Sequence, residues 1–201
     1  MLRTIAFATA WPVALTLSAG VLLRYESTPG YVGAVPAAWQ RTPRIPPPTD
    51  RPVLVMLAHP RCPCTRASMG ELEKIMARLQ GKVTAYVLFL KPEGSGAEWD
   101  GTGLCRTAAA IPGVKVISDI DGVEARRFGA ETSGHTLLFA PDGHLLFSGG
   151  ITELRGHAGN NVGEEAVVSL VNNHIAGRDR TSVFGCSLFN EKKGPVAKCP
   201  R

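Results

Sequence analysis

A buried strand that becomes a helix through two cysteines constrains this 201-residue chain more than any other feature. Val53 to Ala58 is a short, apolar run rich in strand formers, which suits a strand covered on both faces of a sheet. His59-Pro60-Arg61-Cys62-Pro63-Cys64 follows, and from Thr65 the period changes. Met69, Leu72, Ile75, Met76 and Leu79 recur at three- and four-residue spacing, one stripe of an amphipathic helix running to Gln80. Glu71, Glu73, Lys74 and Arg78 fall mostly off that stripe. Both cysteines therefore sit at the start of a helix.

That position has a chemical consequence. The first helical turn offers unbonded backbone N–H groups and the positive end of the helix dipole, so a thiolate there is stabilised and its pKa falls. Arg61 and Arg66 flank the pair, and Pro63 suits a helix start because it has no N–H to lose. Cys62 and Cys64 are the candidate catalytic residues. His59, at the strand end, is placed to tune Cys62 or to face solvent.

Charge argues against nucleic acid. The net charge is +5, but residues 53–176 hold 11 Lys+Arg against 13 Asp+Glu, while residues 177–201 hold 6 against 2. Positive charge lies on the flanks, with no basic aromatic platform in the middle of the chain. With 44% hydrophobic and 19% charged residues, most of the chain should fold. Cys62, Cys64, Cys105, Cys186 and Cys199 are odd in number, so at least one is free, catalytic or intermolecular.

The flanks read as an anchor, a spacer and a tail. Thr4 to Leu23 is uncharged and about the length a helix needs to cross a bilayer, so residues 1–24 are expected to be an uncleaved membrane anchor, with a cleaved signal as the alternative. The rest of the chain would then lie in a bacterial periplasm, tethered to the inner membrane, where disulfides persist. Residues 25–52 hold seven prolines and read as a semi-rigid spacer. Residues 177–201 form a basic tail with little periodicity.

Between the flanks, residues 53–176 read as one α/β domain. Lys82–Leu90 is the next buried strand, which makes a strand–helix–strand unit and a parallel pair. Thr102–Ile111 reads as a short helix carrying Cys105, Val114–Ser118 as a strand and Asp121–Phe128 as a helix. Thr136–Ala140 and His144–Ser148 flank a Pro-Asp-Gly turn and form a hairpin. A glycine-rich loop with Arg155 and His157 leads to a last helix, Gly163–Ala176.

This order resembles the thioredoxin superfamily over about residues 50–176. More narrowly the chain resembles the membrane-anchored TlpA-like branch, and within it RedB-type proteins. The residues behind the narrower likeness are His59-Pro-Arg-Cys62-Pro-Cys64-Thr-Arg-Ala-Ser68, Leu145-Leu-Phe-Ser-Gly-Gly-Ile-Thr152, Arg155-Gly-His157 and Val183-Phe-Gly-Cys186. The resemblance implies a mixed sheet flanked by helices and thiol–disulfide exchange on protein thiols or a redox partner, without a cofactor. Two departures stand out. Thioredoxins carry Cys-x-x-Cys, whereas this chain has Cys-x-Cys. Either Thr65 fills the second slot, or Cys64 aligns with the second cysteine. A Cys62–Cys64 bond would close a strained, readily reduced ring, and Cys62 has Cys186 as an alternative partner. The second departure is that the family's cis-proline position holds His135 in this register.

Two functional readings follow. In the first, Cys62 is the nucleophile of a thiol–disulfide oxidoreductase and Cys64 resolves the mixed disulfide. Cys186 is a possible third redox thiol, and Pro63, His59, Arg61, His135 and His157 are its neighbours. In the second, Cys62, Cys64 and His135 hold Cu(I) or zinc in a metallochaperone, two thiolates and an imidazole being a donor set for such ions. His144 and His174 read as surface residues.

Overall fold

The computed structural model describes residues 2–173 and 177–189, with side chains from residue 11 onward. His174, Ile175 and Cys199 lie outside the described residues. The elements are α1 (Leu2–Ser27), β1 (Val53–Ala58), α2 (Thr65–Arg78), β2 (Thr84–Lys91), α3 (Gly103–Ala110), β3 (Val114–Ile120), α4 (Val123–Arg127), β4 (His135–Phe139), β5 (Leu145–Gly149) and α5 (Val162–Asn173).

The strands form one mixed sheet in the order β3-β2-β1-β4-β5. β1 runs parallel to β2, and β2 to β3. β4 is antiparallel to both β1 and β5. A five-stranded mixed sheet flanked by helices is the α/β architecture that the thioredoxin resemblance implies.

β1 is central, and all six of its residues are buried. Side chains alternate across a strand, so β1 serves two cores. Leu54, Met56 and Ala58 join Leu72 and Ile75 of α2 and Val167 and Leu170 of α5. Val53, Val55 and Leu57 join Phe128, Phe139 and Ile45 on the other face. The strand that leads to the cysteines is therefore fixed from both sides.

Element boundaries follow the sequence reading closely, and the differences have local causes. The helix expected from Asp121 starts only at Val123, because the Asp119 carboxylate takes the N–H groups of Glu124 and Ala125, 2.9 Å each. Asp121 and Gly122 precede the helix at positive φ, 52° and 68°. Glu71, expected off the apolar face, is fully buried. It accepts hydrogen bonds from Gly159 N–H at 2.9 Å and Lys74 Nζ at 2.9 Å, and so pins the glycine-rich loop to α2.

The proline-rich segment 25–52 is not a spacer. Gly33 N–H bonds to Gly129 O (2.9 Å), Trp39 N–H to Gly143 O (2.7 Å) and Leu145 N–H to Ala37 O (2.9 Å). Trp39 meets Phe139 edge-on at 5.1 Å, and Ile45 is 1% exposed. Proline content kept this chain extended, but an extended chain can pair with a domain surface as well as leave it. Ile45→Ala is expected to cost about 3 kcal/mol, the usual range for truncating a buried isoleucine. Urea denaturation of the full chain measures it, and an unchanged midpoint would restore the spacer reading.

The ends also differ from expectation. A helix does form at the N-terminus, but among the described residues no helix is long and apolar enough to cross a membrane. In the C-terminal segment, residues 177–189 are bound to the domain. Ser148 N–H donates to Asp179 O (2.9 Å), Gly30 N–H to Val183 O (2.8 Å) and Leu188 N–H to Glu131 O (2.8 Å).

Candidate active site

β1 ends at Ala58, and the chain turns into α2 through a short ladder of backbone bonds. Cys62 N–H donates to His59 O (3.1 Å), Thr65 N–H to Cys62 O (3.2 Å), and Ala67 N–H to Cys64 O (3.1 Å). Cys64 is the N-cap residue of α2, with no side-chain cap. Cys62 and Cys64 are thus held on one rigid turn, with Pro63 exposed between them.

Folding adds a third sulfur. Cys186 comes from the C-terminal segment, and its Sγ lies 2.9 Å from Cys62 Sγ. The three Sγ atoms of Cys62, Cys64 and Cys186 all lie within 4.8 Å of one another. All three residues are buried, at 1%, 6% and 8% exposure. Cys62 and Cys64 are free thiols, whereas Cys186 is held in a disulfide. Two glycines allow this approach. A Cβ on Gly185 would collide with the Ser133 carbonyl oxygen, and Gly134 turns at φ +91° against Ser68.

Ser133 joins the parts together. Its N–H donates to Cys186 O (2.8 Å), and its Oγ accepts from His59 N–H (2.7 Å) and lies 2.7 Å from Thr65 Oγ1. Thr65 Oγ1 in turn bonds to Cys62. With Ser133 donating to Thr65, the Thr65 hydroxyl proton is directed at the Cys62 sulfur.

The electrostatics separate the two thiols. The Cys64 thiol donates to Cys62, as do the Thr65 hydroxyl and the Cys186 and Thr65 backbone N–H groups. Against the opposing effect of burial they lower the Cys62 pKa to about 5. Cys64 goes the other way. Its proton is held first by the hydrogen bond to Cys62, then by burial and by the neighbouring negative charge, while Arg155 pulls its pKa down. One proton is therefore shared unequally, with Cys62 the anion. Removing the hydroxyl in Thr65→Val is expected to raise the Cys62 pKa by about one pH unit, since a hydrogen bond to a charged group is worth about 1.5–3 kcal/mol. The pH dependence of Cys62 alkylation reads this, and an unmoved midpoint would remove Thr65 from the site.

Arg155 is buried and tied to backbone carbonyls: Nε donates to Tyr25 O (3.1 Å) and Thr28 O (3.2 Å), and Nη1 donates to Gly185 O. It links the end of α1, the Cys186 segment and the cysteine turn. Among the described residues it has no carboxylate partner, so its charge faces the sulfur cluster unneutralised.

The other predicted residues fall into two groups. His59 and Arg61 sit at the rim against Trp99. The His59 ring is 5.7 Å from the indole, and the Arg61 guanidinium lies 4.4 Å over it. Burial lowers the His59 pKa, although the Cys62 charge raises it. His135 and His157 are not brought to the sulfurs. His157 is exposed in its loop. His135 is buried in β4 with Nε2 2.9 Å from Ser148 Oγ on β5, and burial lowers its pKa to about 4, leaving a neutral ring. No peptide bond among the described residues is cis. Cys105 packs under α3, with Thr102 Oγ1 3.1 Å from its sulfur, away from the cluster.

The donor set does not fit a metal centre built on Cys62, Cys64 and His135, because β4 aims the imidazole at the neighbouring strand. Cys186 replaces it, but a disulfide sulfur is not a thiolate ligand. Cys62 and Cys64 remain, two sulfurs that share one proton, fewer than the three or four protein ligands of a zinc site.

Sequence reasoning missed Ser133 and the buried state of Arg155. The only signal for Ser133 was a small polar residue before Gly134, just ahead of β4. For Arg155 it was an arginine in a glycine-rich loop whose one acidic residue is Glu153.

No protein-family model matches the chain, and no curated protein does. Solved structures do. An uncharacterized conserved protein from Geobacillus kaustophilus is 14% identical, with a TM-score of 0.63, over 83% of this chain and 98% of that one. A hypothetical protein from Sinorhizobium meliloti 1021 is 17% identical, with a TM-score of 0.58, over 81% and 96%. A weaker likeness, TM-score 0.43 at 15% identity over 62% and 82%, is to a secreted Mycobacterium tuberculosis disulfide oxidoreductase homologous to E. coli DsbE. The first two likenesses establish that this α/β fold is shared along nearly the whole length of other chains.

Proposed function

We propose that the protein is a thiol–disulfide oxidoreductase acting on protein thiols and disulfides, with Cys62 as nucleophile. The observation that carries this is the buried Cys62 sulfur surrounded by hydrogen-bond donors at the start of α2, which keep it a thiolate. The thiolate is the reactive form in exchange.

The steps use the two thiols in turn. Cys62 S⁻ attacks one sulfur of a partner disulfide, a mixed disulfide forms, and the partner's second sulfur leaves as a thiolate. Cys62 is then uncharged, so the anion that held the Cys64 proton is gone. Cys64 gives that proton to the partner's released thiolate, assisted by the Arg155 charge, and attacks Cys62 Sγ. The partner leaves reduced, with Cys62 and Cys64 joined. The reverse sequence oxidises a partner dithiol. Stabilising the Cys62 thiolate favours the reduced pair, so the oxidised pair is a good acceptor of electrons. The site is accordingly read as an oxidant of protein thiols.

Alkylation of Cys62 by iodoacetamide as a function of pH tests the reading. The rate should stay level from neutral pH to about pH 6 and fall through about pH 5. A rate that already falls below about pH 8.5, as for an ordinary thiol, would overturn it.

A further inference from the structure

We infer that Cys186 is a working redox sulfur: the Cys62/Cys64 pair and the disulfide that holds Cys186 trade electrons, in either direction, by exchange across the Cys62–Cys186 contact. This rests on the proposed oxidoreductase reading and says which disulfide the pair meets first.

Four observations place it. The Cys62 and Cys186 sulfurs are 2.9 Å apart, inside the ordinary ~3.5–4.0 Å contact of non-bonded heavy atoms. Cys62 is 1% exposed, with the Cys186 segment against it, so its nearest disulfide is internal. That segment is fastened on both sides of Cys186, by Ser133 N–H to Cys186 O at 2.8 Å and by the Arg155 guanidinium to Gly185 O. Gly185 is the residue that permits the approach, since any Cβ there would strike the Ser133 carbonyl. A disulfide kept merely to brace the chain would not need its sulfur pressed onto a nucleophile.

The exchange balances without an outside reactant. Cys62 S⁻ attacks Cys186 Sγ; a Cys62–Cys186 bond forms, the existing bond of Cys186 breaks, and the displaced sulfur leaves as a thiolate. Cys64 then gives up its proton to that thiolate and attacks Cys62 Sγ. A Cys62–Cys64 bond forms and Cys186 leaves as a thiolate. One disulfide and one dithiol are present before and after, and two electrons have moved from the Cys62/Cys64 pair to the sulfurs of the Cys186 disulfide.

Cys64→Ser in the full chain stops the relay after its first step. The protein is kept free of added oxidant or reductant, acid-quenched, alkylated, digested without reduction and mapped by mass spectrometry. The expected result is a detectable Cys62–Cys186 linked peptide, reduced at least tenfold by adding Gly185→Ala, which keeps every remaining cysteine but displaces Cys186. Cys62 fully alkylated with the original Cys186 disulfide intact would overturn the relay, as would a link unaffected by Gly185→Ala in protein with a native melting transition. The alkylation profile of the wild-type protein, which keeps the Cys64 donor, holds the two ideas apart. A reactive Cys62 that never links to Cys186 sinks only the relay, whereas a Cys62 that titrates as an ordinary thiol sinks the oxidoreductase reading with it.

Discussion

Cys62→Ser is expected to lower the rate of exchange with a protein disulfide by about a thousandfold or more, about 4 kcal/mol of transition-state stabilisation. The serine hydroxyl keeps the shape of the site but is not ionised at neutral pH, so the attacking species disappears. Cys105→Ser is the comparison. Cys105 is also a free buried cysteine, but it packs in the core under α3, and its loss should leave exchange within about twofold while costing some stability. If Cys62→Ser retained more than a tenth of the wild-type rate in an insulin-reduction or scrambled-ribonuclease assay, Cys62 would not be the nucleophile.

The second large effect is on stability against pH. The Cys62 pKa is depressed to about 5 in the folded protein, against about 8.5 in an unfolded chain. A depressed acid stabilises the fold fully above the unfolded value, and that stabilisation drains away as pH falls through the window to the folded value. Between about pH 8 and pH 6.5 the loss should be about 2 kcal/mol, at roughly 1.4 kcal/mol per pH unit. Below that range burial of His59 and His135 adds to the loss, because both have lowered pKa values and their neutral rings must be charged in the unfolded chain. Anaerobic denaturation of the wild type and Cys62→Ser across this range separates the contributions. The slope above pH 6.5 should vanish in the serine variant and the part below should remain. Equal slopes above pH 6.5 would mean that Cys62 is protonated in the fold.

Much of the sheet could be read along the chain because its signals are local. The apolar run of β1, the three- and four-residue stripe of α2 and the Pro-Asp-Gly turn between β4 and β5 each depend on residues a few positions apart. The turn forms as its chemistry requires, with Gly143 N–H on Ala140 O at 2.9 Å and Gly143 at φ +89°. Glu71 was misread because periodicity sees only one helix. The loop that buries it and supplies Gly159 N–H lies some 90 residues away. The proline-rich segment was misread because composition reports how extended a chain is but not what lies beside it.

The cysteine turn at a helix start was determined by sequence alone: strand, breaker and helix are adjacent, so Cys62 and Cys64 had to meet there whatever the rest of the chain did. Which group would join them was decided by tertiary structure. His135 was the candidate nearest by register, but its strand aims the ring at Ser148. Cys186, 124 residues from Cys62, reaches the site because Gly185 passes Ser133 closely and Arg155 holds the segment in place. Side-chain direction and close backbone approach depend on atoms contributed from distant parts of the chain, and no local pattern carries them.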